Sequence, residues 1–174
     1  MKIQLTRMLT GHSGEVLRVY AEGLATGQAT FNTEVPSWQE WDKGHLPHSR
    51  LVATLDGCVL GWAALSPVSA RHCYRGVAEV SIYIGSGSRG KGVGSLLLEA
   101  LIEESEANGI WTLHSSTFPE NTASINLQKK HGFRVIGHRE RIAELNGEWR
   151  DTVLLERRSR KVGVTPSRNG KEGT

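Results

Sequence analysis

Long apolar runs are missing from this chain of 174 residues. None approaches the roughly 18 residues that a membrane-spanning helix needs. The first ten residues, MKIQLTRMLT, lack the apolar core of a secretory signal, so secretion is not expected. Cysteine is scarce. Cys58 and Cys73 form no C-x-x-C pair, and two thiols are too few for a thiolate metal cage. They read as reduced thiols of a cytoplasmic protein. His45 and His48 match no metal spacing with nearby acids, so they read as surface residues and no metal is expected.

A basic body is missing too. The formal net charge is +3, yet residues 157–174 hold six Lys/Arg and a single acid, which leaves 15 basic against 17 acidic residues elsewhere. The positive surplus belongs to the tail, which argues against a body shaped around a nucleic-acid backbone. The tail is rich in Gly, Ser, Pro and charge and reads as flexible. The reading is therefore one domain over 1–157 and a basic tail over 158–174, with no nucleic-acid or membrane partner.

What is present suits a globular domain, with 38% hydrophobic and 22% charged residues. Residues 2–7 read as a strand, and Val16, Leu17, Val19, Tyr20 and Leu24 follow helical spacing within 14–25. Ser37 and Glu40 form a capping box that opens a short helix through Trp41. Strands over 51–55 and 58–65 are joined by Asp56-Gly57, a hairpin signal. A strand over 77–84, a helix over about 92–107, a strand over 110–115 and a helix over 122–130 follow. Two last strands, 133–142 and 149–155, meet through Asn146-Gly147. Hairpins mixed with strand–helix–strand units predict an α+β fold, a mixed sheet with helices on its faces.

The chemistry concentrates between Ala78 and Ser95. A strand runs into Arg89-Gly90-Lys91-Gly92-Val93-Gly94-Ser95, and a helix opens at once. Glycines let backbone approach a ligand closely, and the first-turn amides of a helix favour negative charge. Arg89 and Lys91 add fixed cations, so a pyrophosphate fits. A Walker loop fails because Gly92, not Ser or Thr, follows Lys91. A dinucleotide fingerprint forced onto Gly85, Gly87 and Gly90 lacks its acidic ribose partner about 20 residues on. The pattern Arg/Gln-x-x-Gly-x-Gly/Ala matches at Arg89, Gly92 and Gly94.

On these residues the chain resembles the GNAT superfamily of acetyl-CoA-dependent N-acetyltransferases, over about residues 2–157. A second block agrees, Pro119-Glu120-Asn121-Thr122-Ala123-Ser124-Ile125-Asn126-Leu127 followed by His131-Gly132-Phe133. Ala29 to Glu34, Ala78-Glu79 and Gly147 to Asp151 are similar to the phosphinothricin and methionine sulfoximine acetyltransferase branch. The resemblance implies a mostly antiparallel twisted sheet of about seven strands with helices on both faces and a V-shaped splay between the fourth and fifth strands.

It also implies direct attack of an amine on the thioester. Backbone groups of Ile82, Tyr83 and Ile84 would pair with the pantetheine arm, and one of their N–H groups would face the oxyanion. Arg89 to Ser95, with Asn121 and Ser124, would hold acetyl-CoA. Glu79 would be the base, tuned by burial. Phe31, Thr33, Tyr74 and Glu79 would meet the acceptor, with Trp38, Trp41 and Trp62 as walls, and the cluster Arg71, His72, Tyr74 and Arg75 reads either as a cationic clamp on a substrate carboxylate or phosphinate or as a solvated loop. Arg150 and Asp151 would lie near a homodimer contact. Gln128 stands where the family carries a tyrosine, or this branch a histidine, as general acid; Tyr83 and His131 are the nearest replacements in sequence, and His131 reads better as a helix end. The implied activity is N-acetylation of a small amino-acid-like amine such as phosphinothricin, methionine sulfoximine or methionine sulfone. A protein N-terminus, a polyamine or an antibiotic amine as acceptor, and a non-catalytic acyl-CoA-binding module, are the alternatives.

Overall fold

The computed structural model describes residues 2–165. Most of the basic tail thus lies outside the described residues. Seven strands form one sheet in the order β1-β2-β3-β4-β5-β7-β6. In chain order the elements are β1 (Gln4–Arg7), α1 (Ser13–Ala25), α2 (Trp38–Gly44), β2 (Leu51–Leu55), β3 (Cys58–Pro67), β4 (Val77–Ile84), α3 (Val93–Ala107), β5 (Thr112–Thr117), α4 (Thr122–Lys130), β6 (Arg134–Leu145) and β7 (Glu148–Arg158). Every neighbouring pair is antiparallel except β4–β5. Both hairpin signals form as read: Asp56-Gly57 and Asn146-Gly147 each place two successive residues at positive φ.

The boundaries differ where packing overrides local pattern. The first strand begins at Gln4 rather than at residue 2. The fifth runs from Thr112 to Thr117, because the Trp111 amide is drawn to the Gly76 carbonyl (2.8 Å) before the ladder starts. The last two strands are longer than the reading and end at Leu145 and Arg158. Beyond Arg158 the chain folds back, with Ser159 buried and bonded through Oγ to Glu106 (2.8 Å).

The central strands bury both faces, so their sequences run apolar without alternation. Leu51 and Ala53 of β2, Ala63 and Leu65 of β3, and Ala78 of β4 pack with Leu97, Leu98 and Leu101 of α3. The opposite face joins Val52, Trp62 and Ala64 to Val16, Val19 and Tyr20 of α1 and Trp41 of α2. Each fully buried leucine of α3 contributes about 1.5–3 kcal/mol by leaving water. The Ser37–Glu40 capping box sets the start of α2: Ser37 Oγ accepts from the Glu40 amide and Glu40 Oε2 from the Ser37 amide. With helices on both faces, the sheet opens where its parallel pair comes apart.

Candidate active site

Only three rungs hold β4 to β5: Val77–Thr112, Ala78–Leu113 and Glu79–His114. Beyond Glu79 the two strands diverge, while β4 stays paired to β3 through Ile84. The edge of β4 from Val80 to Ile84 therefore faces a gap, not a neighbour. Parallel strands are joined by a crossover, here α3, and the crossover's amino-terminus lies at the mouth of that gap. A cleft of about 1370 Å³ fills it.

At one end of the cleft lies the glycine loop. Gly92 caps α3 at φ +80, a left-handed conformation that side chains resist, and offers no side-chain acceptor. The amides of the first helical turn are thus left for a ligand, and the helix dipole favours an anion there. Arg89, Gly90, Gly92, Val93, Gly94 and Ser95 all line the cleft. Lys91 departs from the reading: it does not line the cleft, and its Nζ donates to the Gly87 carbonyl (2.6 Å). The loop is also tethered from behind. Glu22 of α1 accepts from the Ser86 amide (2.6 Å) and from Arg18, and these bonds hold its carboxyl below the usual carboxylate range.

Along the wall opposite β4, Asn121 caps α4 by accepting from the Ser124 amide (3.2 Å), and both residues line the cleft. Gln128, one turn on, is buried, and its amide donates to the hydroxyls of Thr117 and Ser124 (3.1 Å each). His131 does end α4, and its Nε2 is spent on Ser95 Oγ (2.7 Å) outside the cleft lining. Tyr83 lines the cleft but lies against α1, so close that a Cβ on Gly23 would fall 2.5 Å from its Cδ1. Desolvation, with Tyr20 beside it, pushes the Tyr83 phenol above the ordinary tyrosine range.

The other end of the cleft is assembled from distant segments. Glu79 stands at the vertex, its side chain 48% exposed rather than buried as expected, with His114 Nδ1 3.5 Å from Oε2. Phe31 meets Phe118 edge-on at 4.9 Å. Arg150 lies over the Phe118 ring (4.2 Å), donates to Gly27 O (3.2 Å) and Gln28 Oε1 (3.0 Å), and pairs with Glu120 (3.4 Å). It therefore ties β7 to both loops that carry these phenylalanines.

Several expected residues fall elsewhere. Thr33 and Tyr74 do not line the cleft, nor do Arg71, His72 and Arg75. Tyr74 is exposed, with Arg71 over its ring, while Arg75 covers Trp111. Trp41 and Trp62 are core residues that also wall the cleft, whereas Trp38 stacks on Trp41 behind it. His45 is not a surface residue: it stacks on Trp41 at 4.0 Å and lines the cleft, and its burial lowers its pKa. His48 is half-buried too, bonded to Ser49 Oγ (2.8 Å). His114 and Phe118 escaped the sequence reading because no local pattern marks them. The Gly147-Glu148-Trp149-Arg150-Asp151 block had at least drawn attention to Arg150.

Among the described residues no group of three or more His, Cys, Asp or Glu could hold a metal ion, and no helix is long and apolar enough to cross a membrane.

These features have counterparts in known proteins. The model of the acetyltransferase (GNAT) family matches residues 19–133. The phosphinothricin N-acetyltransferase of Alcaligenes faecalis is 35% identical over 152 residues, which cover 82% of this chain and 75% of that protein. The L-methionine sulfoximine/L-methionine sulfone acetyltransferase of Pseudomonas aeruginosa is 29% identical over 147 residues, covering 81% and 86% respectively. A solved GNAT superfamily phosphinothricin acetyltransferase from Sinorhizobium meliloti, in complex with AcCoA, superposes with a TM-score of 0.84 at 27% identity, over 98% of this chain and 95% of that one.

Proposed function

The chain belongs to the acetyltransferase (GNAT) family, and from that premise we propose that it moves an acetyl group from acetyl-CoA to the amino group of a small amino-acid-like acceptor. The observation that carries the reading is the splay itself. An uncapped helix start lies at one end of the gap between β4 and β5, and a carboxylate lies at its vertex.

The residues present fit acetyl-CoA. The first-turn amides of α3 and the Arg89 guanidinium suit a diphosphate, and the free edge of β4 suits an amide-bearing arm. Bound there, the coenzyme supplies a thioester carbonyl as the acetyl source. Glu79 takes the proton that keeps an acceptor ammonium from attacking. An N–H on the open edge of β4, of Ile82 or Ile84, faces the carbonyl oxygen where negative charge grows, since the Tyr83 N–H points to β3. Holding both reactants in one cleft removes much of the entropic barrier. Gln128 is no acid near neutral pH. Because its amide donates to the Ser124 hydroxyl, that hydroxyl's own proton remains free to hydrogen-bond the departing sulfur, while the Thr117 hydroxyl is also bonded to Ser115 Oγ (3.0 Å). Asn121 sets the turn that places Ser124.

The acceptor end is partly aromatic, with Phe31 and Phe118 lining the same cleft as Glu79 and with Arg150 fastening the rim. That suits a compact amine, and the relatives named for phosphinothricin and methionine sulfoximine give its class. Incubation with acetyl-CoA and L-methionine sulfoximine, phosphinothricin, spermidine or a short peptide, with thiol release and product mass followed, tests the assignment. Turnover of the first two is expected; turnover of the peptide or spermidine alone would move the acceptor to another class. We read the protein as a cytoplasmic homodimer. Exposed Val135, Ile136 and Trp149 on the outermost strand pair support self-association. A light-scattering mass equal to one chain would exclude the dimer.

A further inference from the structure

We infer that His114 is a positioning residue of this reaction: from the last rung before the splay it donates its Nδ1 proton to Glu79 and fixes which carboxylate oxygen meets the acceptor amine. The inference rests on the acetyltransferase reading above and adds to it a residue that no motif marks.

Four observations converge on it. The Glu79–His114 pair is the third and last rung of the β4–β5 ladder, so both side chains leave the sheet on one face at the vertex of the cleft. Ala78 beside them packs into the opposite face with α3, which leaves Glu79 on the acceptor side. His114 Nδ1 is buried and has no hydrogen-bond partner, although its side chain is 23% exposed. Among the described residues, Glu79 is the acid within 4.0 Å of that nitrogen, at 3.5 Å.

A gap of half an ångström beyond an ordinary N–H···O bond closes with a small swing of the half-exposed Glu79 side chain. Catalytic hydrogen bonds commonly tighten to full strength only with substrate in place. The nitrogen that carries the imidazole proton is set by the acceptor it faces, and here Nδ1 faces a carboxylate. With Oε2 so engaged, Oε1 is left for the ammonium. His114 neither gains nor loses a proton in this role; Glu79 alone exchanges one with the acceptor. Nearby groups are committed elsewhere: Gln128 to the Thr117 and Ser124 hydroxyls, and Tyr83 to its packing on α1.

The test is a double-substitution cycle with an independent spectroscopic arm. His114→Leu removes the donor and should lower kcat about tenfold to a hundredfold. His114→Asn keeps an N–H near the position of Nδ1 and should stay within about threefold of the parent. Calorimetric affinity for acetyl-CoA should be the same for both. In a Glu79→Ala background, His114→Leu should cost nothing further, because the residue acts through Glu79. Nitrogen NMR of the labelled parent should find His114 protonated at Nδ1, and Glu79→Ala should release that tautomer. Losses that multiply in the double variant would overturn the inference. So would an Asn variant as slow as the Leu variant, or an Nε2-protonated His114 in the parent. Absence of turnover with every amine would sink the acetyltransferase reading instead, and the NMR arm would still decide the His114–Glu79 pair.

Discussion

The two ends of the cleft are built differently. The end proposed for the diphosphate is one continuous stretch, Arg89 to Ser95, whose chemistry comes from backbone conformation: a left-handed Gly92 and a helix start without a side-chain cap. The acceptor end draws Phe31, Glu79, His114, Phe118 and Arg150 from five places in the chain, and its chemistry comes from side chains held by one another. A ligand shared across a family can be served by a local device. A ligand that varies is served by an assembly in which one contact changes without disturbing the rest. The two ends should therefore fail in different ways.

The largest effect is expected at the local device. Gly92→Val places a β-branched side chain at φ +80 and distorts the first turn of α3. Strain of that kind costs about 1–3 kcal/mol, and with the misplaced amides acetyl-CoA affinity should fall about a hundredfold or more by calorimetry. Next comes the chemical group at the vertex. Glu79→Gln should lower kcat about a hundredfold in a thiol-release assay and leave the acetyl-CoA affinity unchanged. Equal rates for parent and variant would remove Glu79 as the base.

A smaller effect is expected at Arg150. Arg150→Ala removes the ties to Gly27, Gln28 and Glu120 and the cover over Phe118. The KM for the acceptor should rise about tenfold while that for acetyl-CoA stays put. Arg150→Lys should not restore it, since an ammonium cannot reproduce the planar fork. A change confined to acetyl-CoA would erase the division between the two ends.

The smallest effect concerns the wall behind the acceptor end. Burial of His45 against Trp41 holds its imidazole below the ordinary histidine value of about 6.5. The folded protein keeps it neutral where the unfolded chain takes up a proton. Stability is then full above that value and is lost as pH falls from about 6.5 toward the folded-state pKa. His45→Gln should flatten the drop in Tm between neutral and mildly acidic pH by about 2–4 °C.

The same division explains how much was legible in the sequence. Elements set by local chemistry were read nearly to the residue: the Ser37–Glu40 box, both Gly-containing hairpins, and the turn into α3. Elements set by distant partners were not. Trp111 is drawn to Gly76 before β5 begins, and just past Arg158 Ser159 is buried through its bond to Glu106. Lys91 looked like a phosphate cation, but a nearby carbonyl claims it. Tyr74 and the arginines around it sit close in sequence to Glu79, yet a 3-10 turn before β4 turns them out of the cleft. His114 became visible only through strand register, which no local pattern encodes.

The most direct measurement compares two donors on the parent protein by titration calorimetry, acetyl-CoA and acetyl-pantetheine, which lacks the diphosphate. If the amides at the start of α3 grip the diphosphate, acetyl-CoA binds one per chain, and acetyl-pantetheine binds about a hundredfold more weakly or not at all. Equal affinity for the two, or no uptake of acetyl-CoA, would contradict that assignment.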